Sequence, residues 1–523
     1  MFHRKKESSG RSAASDENDP VHRGWNLSVQ RLAVFILVFR LVNSFVIQTS
    51  FVPDEYWQTL EVAHGSVFGY GYQTWEWRTG LRGYTYPLIF ASLFKLLQFL
   101  HLDYPVLLTF LPCALQATFS AGQDVALYLL SRRLHGDRAA WWTLFCYLSS
   151  WFAFYTATRT LTNTMETVCT TVGILCYPWH GHLSRNRGEI RFCFMFAALA
   201  CVIRPTAAII WFPLALWYLV KTERKMVTIL QDFLPIGSLV LCCSILIDRF
   251  FYGKWVFVQY NFLEFNVLHD MGSFYGSHPW HWYLTQGLPV ILGAHLPLVM
   301  LGVKETGRKL LSMKLLIFWV IFVYSFLSHK EFRFILPVLP MCMLFCGLFI
   351  SQCRHSTQRL LAIYLLVLNV PVALYTGLLH QRGTLDVMTF LRQELRSEVT
   401  SVENKEDVLF LMPCHSTPFY SHLHSNVSLK FLTCHPNLEH ITDYVDEADL
   451  FYENPQKWLE KNFASFEKYP SYIVMFNVLQ ERVKSFLDKG KYGQVAEFFH
   501  THFPEGRVGR YVLVFHRKTD NAR

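Results

Sequence analysis

The stretch that decides the fold is FVPDEYWQTLEVAHGSVFGYGYQTWEWRTGLRGYTY, residues 51–86. It separates two long apolar segments, and its composition is that of neither a membrane span nor an ordinary loop. Asp54 and Glu55 follow Pro53 directly after the first apolar segment. Two carboxylates are therefore expected at a membrane surface, where unpaired charge is costly. This placement makes them candidates for acid or base chemistry.

The same stretch is unusually rich in aromatic side chains, which suit both the lipid headgroup layer and stacking on sugar rings. An aromatic belt at the membrane interface is the simpler interpretation. However, a belt requires neither an acidic pair nor charged residues among its rings. Glu76, Arg78 and Arg82 lie among these rings, which favours a binding site.

The composition indicates a polytopic membrane protein. Of 523 residues, 52% are hydrophobic and only 17% are charged, and the mean hydropathy is +0.21. The net charge of +9 comes from lysines and arginines scattered over short loops and the N-terminus. This pattern follows the positive-inside tendency, so we expect contact with membrane lipids and no nucleic-acid partner.

The charge pattern also predicts the topology. Residues 1–30 form a polar tail that we expect to be disordered and cytosolic, and residues 31–383 form a membrane domain of about eleven spans whose lumenal loop 51–86 is catalytic. Two crossings between Pro87 and Leu130 would leave SRRLHGDR (131–138) in the lumen, so we expect an odd number there. All basic loops then lie on one face and all candidate chemical residues on the other.

Residues 384–523 are more charged and predict a lumenal α/β domain. The predicted strands and helices are Val408–Met412, Tyr472–Phe476, Tyr511–Phe515, Pro455–Phe463 and Leu479–Leu487. Asn426 begins a glycosylation sequon in this domain, whereas the sequon at Asn26 is expected to be cytosolic and unmodified.

Cysteines and histidines in PCHSTPFYSHLH (413–424) and TCHP (433–436) raise the possibility of a zinc site in the predicted lumenal domain. Their spacing fits no regular zinc finger. In an oxidising compartment a disulfide between Cys414 and Cys434 is the plainer interpretation.

Four further polar motifs fall on the predicted lumenal face. Pro205 in IRPT (203–206) predicts a helix break beside Arg204 that opens toward a polar cavity. The alternative interpretation is that Arg204 is a snorkelling arginine at a helix end. SHKEFRF (328–334) is either a solvated turn or a cationic site. TRTLTNTMET (158–167) is polar enough to line a sugar site, and HPWHWY (278–283) offers histidines at i and i+3 that are a weak metal signal without nearby carboxylates.

PDEYWQ (53–58), TWEWR (74–78), LRGYTYP (81–87) and HKEFRF (329–334) resemble motifs of the dolichyl-phosphate-mannose-dependent mannosyltransferases, glycosyltransferase family 22, a branch of the GT-C glycosyltransferases. Within this branch the chain is most similar to the members that add the third mannose to the glycosylphosphatidylinositol (GPI) anchor precursor. Val52 stands where many relatives carry histidine, as we expect of those members.

The resemblance implies a GT-C fold and an inverting α-1,2-mannosyltransferase of the endoplasmic reticulum membrane with a lumenal active site. Its donor would be dolichyl-phosphate-mannose and its acceptor a lipid-linked GPI intermediate, with no metal and no cofactor. A sister enzyme of lipid-linked N-glycan assembly is the near alternative. A secondary transporter is the distant one, and it requires an inverted repeat that the sequence does not show.

Group transfer from a lipid phosphate requires a base, cations for the leaving group, and groups that hold the sugars. We predict Asp54 as the base with Glu55 as an orienting or acceptor-binding partner, although an acidic pair in a first helical turn is also common. Predicted donor-phosphate ligands are Arg204, His329, Lys330 and Arg333. Predicted sugar and acceptor contacts are Trp57, Trp75, Glu76, Trp77, Arg82, Arg159, Asn163, Glu166, His278, Trp280 and His281.

Overall fold

The computed structural model describes residues 20–179, 187–268, 274, 276–398, 407–438 and 441–518. The chain is helical up to Leu378, and the part from Gly383 onward combines helices with a five-stranded sheet. Residues 1–19 of the predicted tail lie outside the described residues. The first helix begins at Pro20, inside that tail, where proline suits a first helical turn.

The first part consists of long and short helices joined by turns. They are Pro20–Val46 (α1), Glu61–Phe68 (α2), Trp75–Arg78 (α3), Pro87–Phe99 (α4), Pro105–His135 (α5), Asp137–Ser149 (α6), Trp151–Thr156 (α7), Thr162–Leu175 (α8), Arg187–Ile203 (α9), Ala208–Lys221 (α10), Lys225–Thr228 (α11), Leu234–Tyr252 (α12), Val258–Leu263 (α13), Leu288–Leu292 (α14), Leu296–Glu305 (α15), Leu311–Phe326 (α16), Leu339–Gln352 (α17) and His355–Leu378 (α18). Single π-helical turns cover Tyr56–Leu60, Ile229–Phe233, Glu264–Leu268 and Tyr283–Gly287, and 3-10 turns cover Pro205–Ala207, Gly293–His295 and Phe332–Val338.

Six helical stretches of the described chain are long and apolar enough to cross a bilayer, which requires about 20 residues. They are Ser28–Val46, Pro105–His135, Lys225–Tyr252, Tyr283–Glu305, Phe332–Gln352 and His355–Leu395. Shorter apolar helices are Pro87–Phe99, Pro205–Lys221 and Leu311–Phe326. The polytopic helical architecture is confirmed, and the number of eleven spans stays a prediction.

Helices α1 and α5 lie antiparallel, with the rings of Phe45 and Phe110 4.2 Å apart. Further along both helices, Arg40 pairs with Asp124 at 2.6 Å with both side chains fully buried. The 13-residue α4 between them is too short for a full crossing. Helix α5 is long enough for one crossing, and the odd number of crossings stays a prediction.

Helix α17 lies at the centre of the membrane part, since 89% of the residues in the most apolar part of Phe332–Gln352 are buried. Two glycines permit this close packing: a Cβ on Gly347 would lie 2.3 Å from the Thr143 nitrogen, and one on Gly302 would lie 2.1 Å from the Phe345 oxygen. The 3-10 turn Phe332–Val338 leads directly into this rigid helix. The HKEFRF motif is therefore continuous with a buried helix of the membrane part.

The predicted break at Arg204 is present. Helix α9 ends at Ile203, Arg204 is extended (φ −140°, ψ 112°), and a 3-10 turn follows at Pro205–Ala207 before α10. Proline cannot donate the helical hydrogen bond, so the chain bends at this point. The break places Arg204 between α9 and α10, and not within a continuous helix.

The second part contains helices Gly383–Glu398 (α19), Tyr420–Leu423 (α20), Glu447–Glu453 (α21), Pro455–Asn462 (α22) and Gln480–Lys489 (α23), and strands Asp407–Leu411 (β1), Ser428–Phe431 (β2), Tyr472–Phe476 (β3), Tyr492–Phe499 (β4) and Tyr511–Arg517 (β5). Two short 3-10 turns cover Phe466–Lys468 and Asn477–Leu479. The strand order is β2-β1-β3-β5-β4, with β1 parallel to β2 and β3, and β5 antiparallel to β3 and β4. The predicted α/β class is confirmed.

Two features predicted for this second part are visible. Cys414 and Cys434 form a disulfide, so neither sulfur is available as a zinc ligand. Asn426 is exposed, which a glycosylation acceptor requires. The predicted boundary at residue 384 falls at the start of α19, and the division into domains stays a prediction.

The second part is held against the aromatic loop by a buried carboxylate. Glu61 of α2 accepts hydrogen bonds from the backbone N–H groups of Phe419 (2.8 Å), Tyr420 (3.0 Å) and Ser421 (3.2 Å), and from the Ser421 hydroxyl (2.6 Å). The Trp57 indole nitrogen donates to the Thr417 carbonyl at 3.2 Å. The aromatic loop therefore contacts the second part directly, through these hydrogen bonds to residues 417–421.

Candidate active site

A tight turn at Pro53 directs the two adjacent carboxylates apart. The N–H groups of Tyr56 and Trp57 both donate to the Pro53 carbonyl, at 3.0 and 3.1 Å, and start the helical turn. Asp54 and Glu55 occupy the first positions of this turn, where neighbouring side chains diverge. Each carboxylate meets a different arginine.

Asp54 meets Arg333 of the HKEFRF motif. The Asp54 Oδ2 and Arg333 Nη1 atoms are 2.5 Å apart, and the Asp54 side chain is 25% exposed. Arg333 also forms a bidentate pair with Glu331, with Nε to Oε2 at 2.7 Å and Nη2 to Oε1 at 2.6 Å. These contacts join two motifs that are 279 residues apart into one partly open charged cluster.

His329 extends this cluster. Its Nε2 lies 3.1 Å from Glu331 Oε1, and its Nδ1 lies 3.1 Å from the Gly276 carbonyl oxygen. Burial lowers the pKa of His329, but the hydrogen bond to Glu331 and its charge outweigh this effect and raise the pKa above the ordinary value. Burial favours the neutral form of Glu331, yet the charge of Arg333 lowers the pKa of Glu331 well below its usual range.

Lys330 is buried and anchors the neighbouring segment. Its Nζ donates to the carbonyl oxygens of His278, at 2.8 Å, and of Leu327. The His278 N–H in turn donates to the Ser328 carbonyl at 3.0 Å. Since an ammonium group has three donors, these contacts leave one for another acceptor.

Glu55 meets Arg159 in the interior. The Glu55 Oε2 and Arg159 Nη1 atoms are 2.8 Å apart, and the two side chains are 4% and 1% exposed. Arg159 also donates to the carbonyl oxygens of Thr49 (2.6 Å) and Tyr155 (2.8 Å). Burial raises the pKa of Glu55 although the charge of Arg159 opposes it. This pair ties the loop to the α7–α8 connection.

A second buried pair lies behind Arg333. Arg204 Nε is 3.0 Å from Glu166 Oε2, and Arg204 Nη1 donates to the Asn163 side-chain oxygen at 3.1 Å. Asn163 then donates to the Arg333 carbonyl at 3.2 Å. The contact from Asn163 holds the backbone of Arg333. Arg204, Asn163 and Glu166 therefore support the charged cluster around Arg333.

Glu76 and Arg82 form a third pair that is partly open. Arg82 donates to Glu76 Oε1 from Nε (3.0 Å) and Nη2 (2.5 Å). The Glu76 side chain is 18% exposed and the Arg82 side chain is 23% exposed. Burial lowers the pKa of Arg82, but the charges of Glu76 and Asp54 outweigh it and raise this pKa. Arg82 therefore lies within electrostatic reach of the Asp54 cluster.

The predicted tryptophans differ in exposure. Trp57, Trp75 and Trp77 are buried, and the Trp77 indole donates to the Trp57 carbonyl at 3.1 Å. Trp280 is 66% exposed, and His281 is also exposed. The His278 ring stacks on Trp282 with centroids 4.9 Å apart. The structure thus brings the HPWHWY backbone beside the HKEFRF motif, while Trp280 and His281 face outward.

Sequence reasoning missed one residue of the site. His415, considered there only within the group of possible zinc ligands, packs its ring 4.8 Å from that of Trp57. Burial lowers the pKa of His415 to about 4, and the negative charge of Asp54 acts in the opposite direction. His415 therefore forms part of the wall beside Asp54. No local signal could have placed it there, because the two residues are far apart in sequence.

The arrangement combines a partly exposed carboxylate with several cations at the predicted membrane face. A carboxylate within reach of a bound hydroxyl can accept its proton, and fixed cations stabilise a departing phosphate. The site therefore fits group transfer from a phosphorylated lipid to a hydroxyl. The roles of the individual residues stay predictions.

Comparison with known proteins agrees with this chemistry. The family model described as Alg9-like mannosyltransferase family matches residues 32–424. GPI alpha-1,2-mannosyltransferase 3 of Danio rerio is 50% identical over 94% of this chain and 90% of its own length. The protein of that name in Homo sapiens is 47% identical over 93% of this chain and 87% of its own length.

A solved structure shares the fold. The structure of ArnT from Cupriavidus metallidurans bound to undecaprenyl phosphate has a TM-score of 0.59 and covers 94% of this chain and 98% of that one, at 13% identity. At this identity the likeness concerns the fold alone, and it confirms the GT-C architecture. With a family model over most of the membrane part and relatives near 50% identity, the chain belongs to the Alg9-like mannosyltransferase family of multi-pass membrane glycosyltransferases.

Proposed function

We propose that this protein is the α-1,2-mannosyltransferase that transfers the third mannose from dolichyl-phosphate-mannose to a lipid-linked GPI intermediate, at the lumenal face of the endoplasmic reticulum membrane. The observation that carries the mechanism is the partly exposed Asp54 carboxylate beside the Arg333–Glu331–His329 cluster. The acceptor and the linkage rest on the names of relatives about 50% identical to the chain.

Asp54 accepts the proton of the acceptor hydroxyl. The hydroxyl oxygen then attacks the anomeric carbon of the donor mannose, the bond from this carbon to the phosphate oxygen breaks, and dolichyl phosphate leaves with the negative charge. One in-line displacement inverts the anomeric centre, so one carboxylate is enough. Glu55 is not required as a second base, because its carboxylate is buried against Arg159.

Arg333 binds the phosphate of the donor. Its bonds to Asp54 and Glu331 use three of its five N–H donors among the described residues, which leaves two for phosphate oxygens. The raised pKa of His329 favours a protonated, cationic ring beside the same site. Lys330 contributes one remaining donor, and Arg204 supports Arg333 from behind through Asn163.

The acceptor sugars contact the open polar side chains. Glu76 and Arg82 are partly exposed and form an ion pair, and Arg82 is within electrostatic reach of Asp54, so this pair binds sugar hydroxyls. His278, Trp280 and His281 line the approach beside the HKEFRF motif. Trp57, Trp75, Trp77, Arg159, Asn163 and Glu166 are buried and hold these groups in position.

Transfer of labelled mannose from dolichyl-phosphate-mannose to a dimannosyl GPI intermediate tests the proposal. Purified protein is assayed in parallel with the lipid-linked N-glycan precursor as acceptor, each with and without a chelator. We expect a trimannosyl GPI product, no product on the N-glycan precursor, and no effect of the chelator. Product only on the N-glycan precursor would assign the protein to that assembly instead, and no product on either would reject the proposal.

A further inference from the structure

A cavity lies between the edge of the C-terminal sheet and the aromatic loop. Its volume is about 350 Å³, within the range of about 300–1,000 Å³ typical of small-ligand sites. Its walls come from strands β1 and β2, helices α21 and α22, and Tyr72 of the loop, and Lys430 of β2 also lines it. None of the residues assigned above to catalysis or donor binding lines it, so it is separate from the Asp54 cluster.

Two half-buried aromatic rings from different elements line this cavity. Trp458 of α22 is held by the rings of Phe451 and Phe463, at 5.3 and 6.2 Å. Tyr72 packs edge-on against Phe431 at 4.9 Å, with an angle of 83° between the rings. Rings that are fixed by packing yet partly accessible suit stacking on the apolar face of a sugar.

Polar side chains stand beside the rings. Glu447 is fixed by hydrogen bonds from the Thr433 N–H (3.0 Å) and hydroxyl (2.5 Å). Burial raises the pKa of Tyr72, the charge of Arg78 opposes this effect, and the charge of Glu447 adds to it. The Arg78 guanidinium carbon lies 5.2 Å from the centroid of the Tyr72 ring. Asn462 is exposed and its amide donates to the Trp458 carbonyl at 2.8 Å. Carboxylate and amide oxygens are suitable acceptors for sugar hydroxyls.

The cavity is separated from the candidate base by one layer of rings. Phe431, in the cavity wall, lies 5.8 Å from Trp57 and 5.6 Å from His415, centroid to centroid. Trp57 is three residues along the chain from Asp54, and its ring lies 4.8 Å from that of His415. A substrate of several sugars with one hydroxyl at Asp54 is therefore near this cavity.

We propose that this cavity is a carbohydrate subsite, which binds a part of the acceptor glycan away from the reacting hydroxyl. This inference rests on the proposed function, in which the acceptor carries several sugars. Trp458 and Tyr72 supply stacking surfaces, and Glu447 and Asn462 bind hydroxyl groups. The subsite thereby selects acceptors by their glycan, whereas the Asp54 cluster acts on the donor and the reacting hydroxyl.

Steady-state transfer by the full-length protein tests this subsite, with separate titration of the dimannosyl acceptor and the donor. We expect Trp458→Ala to raise the acceptor KM about five- to tenfold, the loss expected for one aromatic contact. Asn462→Ala should raise it about two- to threefold, as for a single hydrogen bond. The donor KM should stay unchanged in both variants. Phe503→Ala, an exposed ring of the same domain that does not line the cavity, is the matched control and should change neither KM.

Thermal unfolding of each variant separates binding from folding, and Asn462→Ala remains informative if Trp458→Ala is unstable, because Asn462 is exposed. An active wild type together with acceptor KM values within twofold in both variants would reject the subsite and leave the proposed function intact. If the wild type transfers no mannose, the proposed function fails, and titration of a soluble dimannosyl glycan followed by tryptophan fluorescence decides the subsite. Binding that Trp458→Ala abolishes would support the subsite, and no binding, or unchanged binding, would reject it.

Discussion

Asp54 and Glu55 are neighbours in the chain, and each forms a short ion pair with an arginine, yet their surroundings differ. The Asp54 side chain is 25% exposed, and its partner Arg333 is shared with a second carboxylate and keeps spare donors. The Glu55 side chain is 4% exposed, and its partner Arg159 also donates to backbone carbonyls. Exposure to a substrate, and not pairing with an arginine, therefore distinguishes the candidate base Asp54 from Glu55.

The largest effect on stability is expected at the buried pair. Glu55→Gln leaves the Arg159 charge without its counter-ion in the interior, which costs about 3–5 kcal/mol. We expect a clearly lower thermal midpoint and less folded protein, with the remaining folded fraction still active. The matched variant Asp54→Asn should unfold close to the wild-type temperature. Equal midpoints for the two variants would contradict the distinction between the clusters.

At the open cluster the next effect should be on transfer. Arg333→Gln removes the cation proposed to stabilise the departing phosphate, and loss of such a group typically lowers kcat about 10²–10³-fold. Arg333→Lys should recover part of the activity, because the charge remains while the bidentate pair with Glu331 is lost. The check is kcat per folded protein. If Arg333→Gln changed only the thermal midpoint, the open cluster would be structural as well.

The smallest effect is a pH dependence. Because the pKa of His329 is raised in the folded protein, its ring stays charged to a higher pH than in the unfolded chain. Its stabilising contribution is therefore present below the unfolded pKa and is lost as pH rises through the folded pKa. Donor binding should weaken over the same range, up to about tenfold in the donor KM, because a charged hydrogen bond to phosphate disappears.

His329→Gln is the control for this pH dependence, and it should show a donor KM that no longer changes there. If the wild-type donor KM does not vary across this range, or if the variant keeps the same variation, His329 is not the group responsible.

Much of the fold follows from local pattern. Short apolar runs in the sequence predict strands β1, β3 and β5, and these runs are largely buried in the structure. Helices α22 and α23 begin and end close to the predicted residues. The sheet edges were missed. Strand β2 has four residues and β4 includes Gly493, Gln494 and Glu497, so neither shows a clear apolar pattern.

The site was only half predictable. Residue types and motifs of the predicted lumenal face pointed to Asp54 and the HKEFRF motif as candidates, and the disulfide was predicted from the expected compartment. The partners did not follow, because Arg333 is 279 residues from Asp54 and Arg159 is 104 residues from Glu55. Periodicity reports the face of a local element and carries no information on such pairs. Burial of Glu55, Arg159 and Glu166 was therefore visible only in the structure.

The role of Asp54 as the base is best tested by mannose transfer per folded protein for wild type, Asp54→Asn and Glu55→Gln under identical conditions. We expect Asp54→Asn to lower kcat by about 100-fold or more, the contribution of a general base, with a nearly unchanged thermal midpoint. Glu55→Gln should show the reverse pattern, with a lower midpoint and kcat within a fewfold of wild type. Near-normal transfer by folded Asp54→Asn would show that Asp54 is not the base.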